Sequence, residues 1–521
     1  MREFNVTGLC VPGRHYMADT SEKLAKIIQF VEHGDYFSIN RGRQYGKTTT
    51  LFLLELGLSR EYTIIAISFE GASDGMFETE INFCQGFLFT CSKYFTEKGS
   101  PDSEAWTDSS VTTFDLLDIF LSKACKDKKI VLMIDEVDKT SNNPIFLKFL
   151  GILRDKYLRR NRGLGATFQS VIIAGVYDIK NLKLKMIQAG THKLQDGEKR
   201  INSPWNIAID FNVDMSLSEK EIASMLMEYE KDCNTGMDIK EVSKEIRFYT
   251  SGYPYLVSRI CQKIDRETNR DWTVNGVRQA VKIILNEPNL LFDDLGKNME
   301  SNEELSNLLY DIAINGQSYS YNLTNPAMEL GFIFNFLKKQ DEQVVIDNLI
   351  FESVIYNHFL TKKRIKGIRI DKVLPSEIIE NDKFNMELCV EKFAQHYYEL
   401  YRESEKKFLE DECRMLFLTY LKPLINGTGF CHVESETRNA KRMDVVIDFK
   451  TEQFIVELKL WYGELSHERA YEQLFGYLKS KSKDTGYLLT FDFRKEGNTG
   501  KPQMKWTEYK GKRIFDCVVG C

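Results

Sequence analysis

Proline is scarce in this chain: 10 residues in 521, about 2% where ~5% is usual. Long proline-rich linkers are therefore excluded, and short folded connections are expected. The 11 cysteines form an odd set with no CxxC pair. That excludes a zinc ribbon and a CxxC redox site, and it favours free, mostly buried thiols in a reducing compartment. No apolar run approaches the roughly 18 residues of a membrane span. The opening MREFNVTGLC lacks the basic and apolar regions of a signal peptide. A cytoplasmic protein with no membrane partner is expected. The seven histidines are dispersed, no HExxH occurs, and no internal repeat or low-complexity stretch is present.

The fractions that are present, 43% hydrophobic and 28% charged, are ordinary for globular protein and exclude disorder. At roughly 150 residues per domain, the length predicts three to four domains. Net charge is −6, so indiscriminate coating of nucleic acid is excluded, while a local basic face is not.

The first 215 residues alternate apolar strands with helical stretches. Strands are expected at Tyr36 to Asn40, Thr63 to Phe69, Ile130 to Ile134 and Ser170 to Val176. Their apolar runs do not alternate, which fits strands buried on both faces of a parallel sheet, an α/β fold. The first strand enters RGRQYGKTTT. In a phosphate loop, backbone N–H groups wrap phosphates, a lysine neutralises their charge and the next hydroxyl sits on magnesium. Gly46, Lys47, Thr48 and Thr49 fit that role. The first glycine of GxxxxGK would fall at Arg41; Gly42, one position on, is expected to supply the turn. Asp135 ends the third strand, 88 residues after Lys47, where it can hold magnesium through water. Glu136 can polarise an attacking water. The plainer alternative for the acid pair is a strand end at the surface. Arg159, Arg160 and Arg162 are candidates for an arginine finger, although such a run is usually a solvated helix end.

These motifs resemble an AAA-like ATPase family of bacteria and archaea, close to the signal-transduction ATPases with numerous domains. The resemblance rests on HYM at 15–17, YFSINRGRQYGKTTTL at 36–51, VLMIDEVDK at 131–139, AGVYDIKNLKLK at 174–185, SPWNIAIDF at 203–211 and TSGYPYLVSRIC at 250–261. It covers roughly residues 1–360. It implies ATP and Mg²⁺ as cofactors, a γ-phosphate sensor at Asp178 and an adenine-holding role for His15 and Tyr16. It also implies a helical lid over 216–287, in which Pro254 of the Gly-x-Pro element touches the nucleotide. A winged helix-like module over 288–360 ends in the hairpin NFLKKQDEQVVIDNLIF. Residues 361–404 read as a mostly helical connector.

Residues 405–521 carry a second pattern. RMDVVIDF and FIVELKL can pair as a hairpin, with Asp444 opening one strand and Glu457-x-Lys459 ending the other. Period-2 alternation puts Glu457 and Lys459 on one face. Two carboxylates beside a lysine make a hard-cation site that can polarise a phosphate and activate water. This constellation resembles the PD-(D/E)XK nucleases, with Met443 where proline is usual. The resemblance extends to Gln473 and Tyr477 on the following helix, and to Glu412 as an additional metal-site acid. It implies a small α/β nuclease-like domain at 405–521 and nucleic acid as partner, DNA more than RNA. Residues 405–521 hold 20 Lys+Arg against 18 Asp+Glu, and the last stretch, 479–521, holds 10 against 5. Those cations alternate with Tyr487, Phe491, Phe493, Trp506 and Tyr509, as a phosphate-tracking surface would; a solvated face is the alternative.

The expected activity is an ATP-regulated, Mg²⁺-dependent nuclease, with defence against foreign DNA implied by resemblance and a homo-oligomer admitted. The alternative is a non-catalytic ATP-dependent switch whose C-terminal domain only binds DNA or a protein. GASDG at 71–75 also matches GxSxG, which would make Ser73 a nucleophile; a small-residue turn after a strand is the simpler explanation.

Overall fold

The computed structural model describes residues 2–139, 143–176, 205–314, 317–322, 324–362, 378–380, 383–401, 410–425, 429–432, 445–450, 452–494 and 501–520. The chain divides into two compact units. One comprises Met1–Arg247, Gly252–Gln262 and Phe332–Asn335; the other comprises Phe248–Ser251, Lys263–Gly331 and Phe336–Cys521.

In the first unit, strands β1 (Tyr36–Asn40), β2 (Thr63–Ser68), β3 (Ile130–Asp135) and β4 (Ser170–Gly175) form a parallel sheet in the order β1-β4-β3-β2. β3 and β4 are buried along their whole length, as their unbroken apolar sequences require. The core beside them is largely aromatic: Phe83 stacks with Phe87 and meets Phe149 at 5.0 Å. After the fourth strand the chain returns at Trp205, which is fully buried and donates its indole N–H to Ser38 Oγ at 2.9 Å. Ile209 then bridges Phe37 in parallel, on the side of β1 away from β4.

Arg160 does not serve as a free cation. Its guanidinium donates to the carbonyls of Phe168, Gln169 and Gly34 and lies over the rings of Tyr36 and Tyr157. It ties the helix Pro144–Asn161 to the start of β1. Arg159 faces Asp118 and Asp155.

The helix Glu219–Cys233 opens with a capping box between Ser218 and Glu221, which satisfies two orphan N–H groups. The helices Ile239–Thr250 and Pro254–Glu267 are separated by Gly252 at φ 75°. Leu217 N–H donates to Gly252 O at 2.7 Å, and a Cβ at 252 would stand 2.0 Å from Leu217 O. Only glycine fits that approach and that dihedral.

In the second unit, helices Leu290–Ser301, Glu303–Ala313, Pro326–Ile333 and Leu349–Lys362 surround a small sheet. Its strands β5 (Tyr319–Ser320), β6 (Leu337–Gln340) and β7 (Gln343–Ile346) lie in the order β5-β7-β6. β6 and β7 form the expected hairpin, turning through Asp341 and Glu342 at positive φ. A second hairpin, β8 (Ile379–Glu380) with β9 (Lys383–Phe384), precedes the helix Met386–Tyr401.

A six-stranded sheet follows: β10 (Gly429–His432), β11 (Val445–Phe449), β12 (Glu452–Leu460), β13 (Thr485–Asp492), β14 (Gln503–Tyr509) and β15 (Lys512–Gly520), in the order β10-β11-β12-β13-β15-β14. β10, β11 and β12 pair antiparallel. The helix Glu464–Ser480 then carries the chain over to β13, parallel to β12, as a parallel pairing requires. This helix packs through Tyr471, Leu474 and Leu478 on the face bearing Ile455, Leu488 and Ile514. On the opposite face Phe393 and Tyr397 meet Phe491, and Phe393 also meets Phe417 of the helix Glu410–Ile425. Two expectations change here. The helix Met386–Tyr401, read as part of a connector, is a layer of this sandwich, because its Cys389, Val390, Phe393, Ala394 and Tyr397 are buried. Tyr487 and Phe491, read as part of a surface, lie in the core because β13 is a central strand.

Candidate functional site

The first unit encloses a cavity of about 560 Å³ lined by Arg43 to Thr50, by Tyr16 and Met17, and by Glu136, Asp138 and Pro254. The turn from β1 places it at the carboxyl ends of parallel strands, where α/β sheets bind ligands. Gln44 (φ 57°) and Gly46 (φ 81°) take left-handed backbone and bend the loop into the helix Lys47–Leu58. Gly42 is needed for a different reason from the turn expected of it. A Cβ there would come within 2.9 Å of Phe334 O, and its N–H donates to Asn335 Oδ1 at 2.7 Å. Arg41, at the usual glycine position, reaches out of the loop to donate to Val213 O and lies over the Phe211 ring.

Lys47 is buried, and its ammonium donates to the carbonyls of Arg41 and Gly42 at 3.0 Å each. Burial pulls its pKa down, opposed by the charges of Glu136, Asp138 and Asp135. Thr48 Oγ1 donates to Asp135 Oδ2 at 2.7 Å. Asp135 Oδ1 accepts the N–H of Glu136 at 2.9 Å. Glu136 is held at φ 54°, a strained backbone for a non-glycine residue and one that concentrates at functional sites. Burial, and then Asp135, push its carboxyl pKa up, against Lys47. A raised pKa makes the carboxylate a stronger base. The oxygens of Thr48 and Asp135 are hard donors of the kind magnesium takes. Together with the loop amides and Lys47, they fit a nucleoside triphosphate with its cation.

The other expected residues have partners of their own. Thr49 Oγ1 accepts the N–H of Cys10 at 3.2 Å, fastening an N-terminal strap across the loop's helix. His15 is buried, and its Nδ1 accepts the N–H of Val11, a structural engagement. Tyr16 does line the cavity, with its hydroxyl on Asp232 Oδ2 at 3.0 Å and its ring against Phe4 and Tyr229. Pro254 approaches Gly46, while Tyr253 donates to Arg43 O and meets the Tyr45 ring at 4.7 Å. The Gly-Tyr-Pro element therefore touches the loop. Asp178 lies outside the described residues. Asp138 went unread in the sequence: its two carboxylate oxygens accept the N–H of Val176 at 2.9 and 2.8 Å, clamping the end of β4 beside the cavity. A third acid in DEVDK was the available signal.

In the second unit, Glu457 is fully buried and its Oε1 lies 3.0 Å from Lys459 Nζ. Both side chains share the face covered by the helix Glu464–Ser480, and they stand in register with Leu488 and Thr490 of β13. On that helix Gln473 donates to the Tyr477 hydroxyl at 3.0 Å, and Tyr477 is buried. The β11–β12 ladder is described from Val445, opposite Val456; Asp444 and the side chain of Glu412 lie outside the described residues. Among the described residues no group of three or more His, Cys, Asp or Glu is placed to hold a metal. No helix among them is long and apolar enough to cross a membrane.

No family model matches the chain, and no curated protein matches it. Solved structures resemble it weakly. A Walker-type ATPase of Pyrococcus abyssi is 12% identical, with TM-score 0.48 over 68% of this chain and 99% of that one. The ORC2 protein of Aeropyrum pernix, in ADPNP–ADP complexes, is 12% identical with TM-score 0.32, covering 68% and 97%. The Thermotoga maritima RuvB Holliday junction branch migration motor is 12% identical with TM-score 0.33, covering 63% and 92%. At these scores none of the likenesses assigns the chain a role.

Proposed function

We propose that the first unit binds and hydrolyses ATP with Mg²⁺, and that the second is a PD-(D/E)XK-type nuclease whose cleavage of nucleic acid, DNA before RNA, the ATPase regulates. The observation that carries the ATPase reading is the Thr48–Asp135 hydrogen bond of 2.7 Å at the mouth of a loop that already holds Lys47. Bound magnesium would neutralise phosphate charge and orient the leaving group. Lys47 exchanges its carbonyl partners for phosphate oxygens. Glu136, with its raised pKa, takes up the proton of the attacking water. ATP hydrolysis by the full chain is expected to fall at least roughly 100-fold on Lys47→Ala, as loss of a transition-state charge contact costs. Unchanged turnover by that variant would refute the assignment.

The nuclease reading is supported by the order helix, three antiparallel strands, crossover helix, parallel strand, and by Glu457-x-Lys459 on the face that helix covers. Asp444, Glu457 and Glu412 are the proposed metal ligands, and Lys459 the proposed water-orienting cation. Mg²⁺-dependent cleavage of labelled single- and double-stranded DNA and RNA should be lost in both Asp444→Ala and Lys459→Ala proteins. Cleavage by either variant at the wild-type rate would sink this site.

One observation favours a second reading. Glu457 and Lys459 pair with each other, and Glu457 is wholly buried, as in a structural ion pair. On that reading the C-terminal sheet only binds, and the first unit is a switch. A nucleotide-exchange assay run beside a hydrolysis assay separates the two.

A further inference from the structure

The second unit holds another cavity, of about 370 Å³, within the range of ligand pockets. It opens where parallel strands end: Trp461 follows β12, Asp492 closes β13, and Gly520 closes β15. His467, in the first turn of the helix Glu464–Ser480, lines one side; Gln503 and Lys505 of β14 line the other.

Asp516 lines this cavity in the middle of β15 and is 1% exposed. Its Oδ2 accepts the Tyr471 hydroxyl at 2.6 Å, lies 3.1 Å from His467 Nε2, and is 3.8 Å from Lys505 Nζ. Its Oδ1 is buried and has no hydrogen-bond partner among the described residues. The indole N–H of Trp461 is in the same condition. Leaving such groups unmade is costly, and native proteins rarely do so without a reason. Here an acceptor and a donor are both left over in residues that line one cavity.

The lining also carries three cations, Arg494, Lys501 and Lys505, beside the carboxylate of Asp492. Arg494 donates to both carboxylate oxygens of the buried Asp492 and stacks 4.9 Å over Trp461. Its guanidinium is thereby fixed before any ligand arrives, which lowers the cost of binding. Lys501 and Lys505 stand nearby in the lining. An anion alone would satisfy these cations and leave Asp516 Oδ1 without a donor. A ligand matching the whole cavity carries a phosphate and a hydroxyl or amino group.

We propose that this cavity binds a nucleotide unit bearing a phosphate monoester. The phosphate meets Arg494, Lys501 and Lys505, and a sugar hydroxyl or base amino group donates to Asp516 Oδ1. The ligand is either a free mononucleotide or the phosphorylated end of a strand. The site does not require Glu457 and Lys459 to cleave anything, so it stands or falls apart from the nuclease reading.

The test is fluorescence anisotropy with the full chain carrying Lys47→Ala, in EDTA, which suppresses both nucleotide uptake by the first unit and cleavage. The probes are 3′-labelled tetranucleotides with a 5′-phosphate or a 5′-hydroxyl. The phosphorylated probe is expected to bind roughly tenfold tighter, the scale of one charge-assisted contact. Lys505→Ala and Arg494→Gln should each erase that preference. Lys505 is mostly exposed, so its loss leaves the fold intact, and an unchanged melting temperature checks this. Competition by AMP or dAMP identifies a free nucleotide as the ligand; competition by phosphorylated oligonucleotides alone identifies a strand end. Equal competition by inorganic phosphate, the absence of any phosphate preference, or a preference that survives both substitutions overturns the proposal.

Discussion

Single residues show where placement was readable from the sequence and where it was not. Lys47, Thr48, Asp135 and Glu136 sit in short contiguous motifs, so spacing alone placed the first two at the start of the helix after β1 and the second two at the end of β3. Asn335, His467 and Asp516 carry no such signal. They acquire their partners through topology: Asp516 meets Tyr471 and His467 only because the crossover helix lies over β15. Lys422 belongs with these. Its ammonium donates to Ser353 O at 3.1 Å and lies 4.7 Å from the Tyr356 ring. Burial pulls its pKa down to about 8, against the pull of Cys431 and Glu352. The unfolded lysine titrates near ~10.4. Between those values the unfolded chain holds more protons, so this group's contribution to stability rises with pH across that window and is least below it. Lys422→Met is therefore expected to raise the melting temperature at pH 7. The gap from wild type should narrow as pH climbs from 8 to 10. A gap independent of pH would show that Lys422 titrates normally.

At the scale of elements, unbroken apolar runs were the most legible feature. IVLMID and SVIIAG became the expected buried strands β3 and β4, and the hairpin of β6 and β7 fell where a polar turn divided two apolar segments. The stretch after residue 479 misled because its many cations concealed TGYLLTFD, an apolar run of the same kind. Counting charge across 43 residues averaged a central strand with its solvated neighbours. The break at Gly252 was visible as Gly-x-Pro, but the reason for it was not. The glycine lies against the Leu217 carbonyl, 35 residues earlier in the chain. Gly252→Ala must force that contact apart at positive φ. A destabilisation of about 2–4 kcal/mol is expected, from strain and overpacking together. Urea unfolding measures it, and a loss within ~0.5 kcal/mol, the range of neutral surface changes, would show that the backbone adjusts freely.

For the whole molecule, the net charge of −6 concealed an acidic first part and a mildly basic last part. On the proposed function, the first part's stability is linked to nucleotide. A nucleotide that binds only the folded chain adds about 2.7 kcal/mol at 100 times its Kd. ATP with Mg²⁺ is therefore expected to raise the melting temperature of wild-type protein and to leave that of Lys47→Ala protein unmoved. Differential scanning calorimetry with and without nucleotide decides it, and equal shifts in both proteins would place ATP elsewhere.

The bond from Gly42 to Asn335 spans 293 residues of chain and meets the phosphate loop at a residue that does not line its cavity. Asn335 thus steadies the loop and, on the proposed function, would not compete for the phosphates. Linkage makes such steadying reciprocal: whatever Asn335 adds to nucleotide affinity, the nucleotide returns as protection of the 332–335 segment. Asn335→Ala is expected to weaken ATP binding severalfold. In the wild type, ATP should slow amide hydrogen exchange at Gly42 and across that segment. The same free energy, read from either end of the bond, would then be an internal record of whether the nucleotide site is filled.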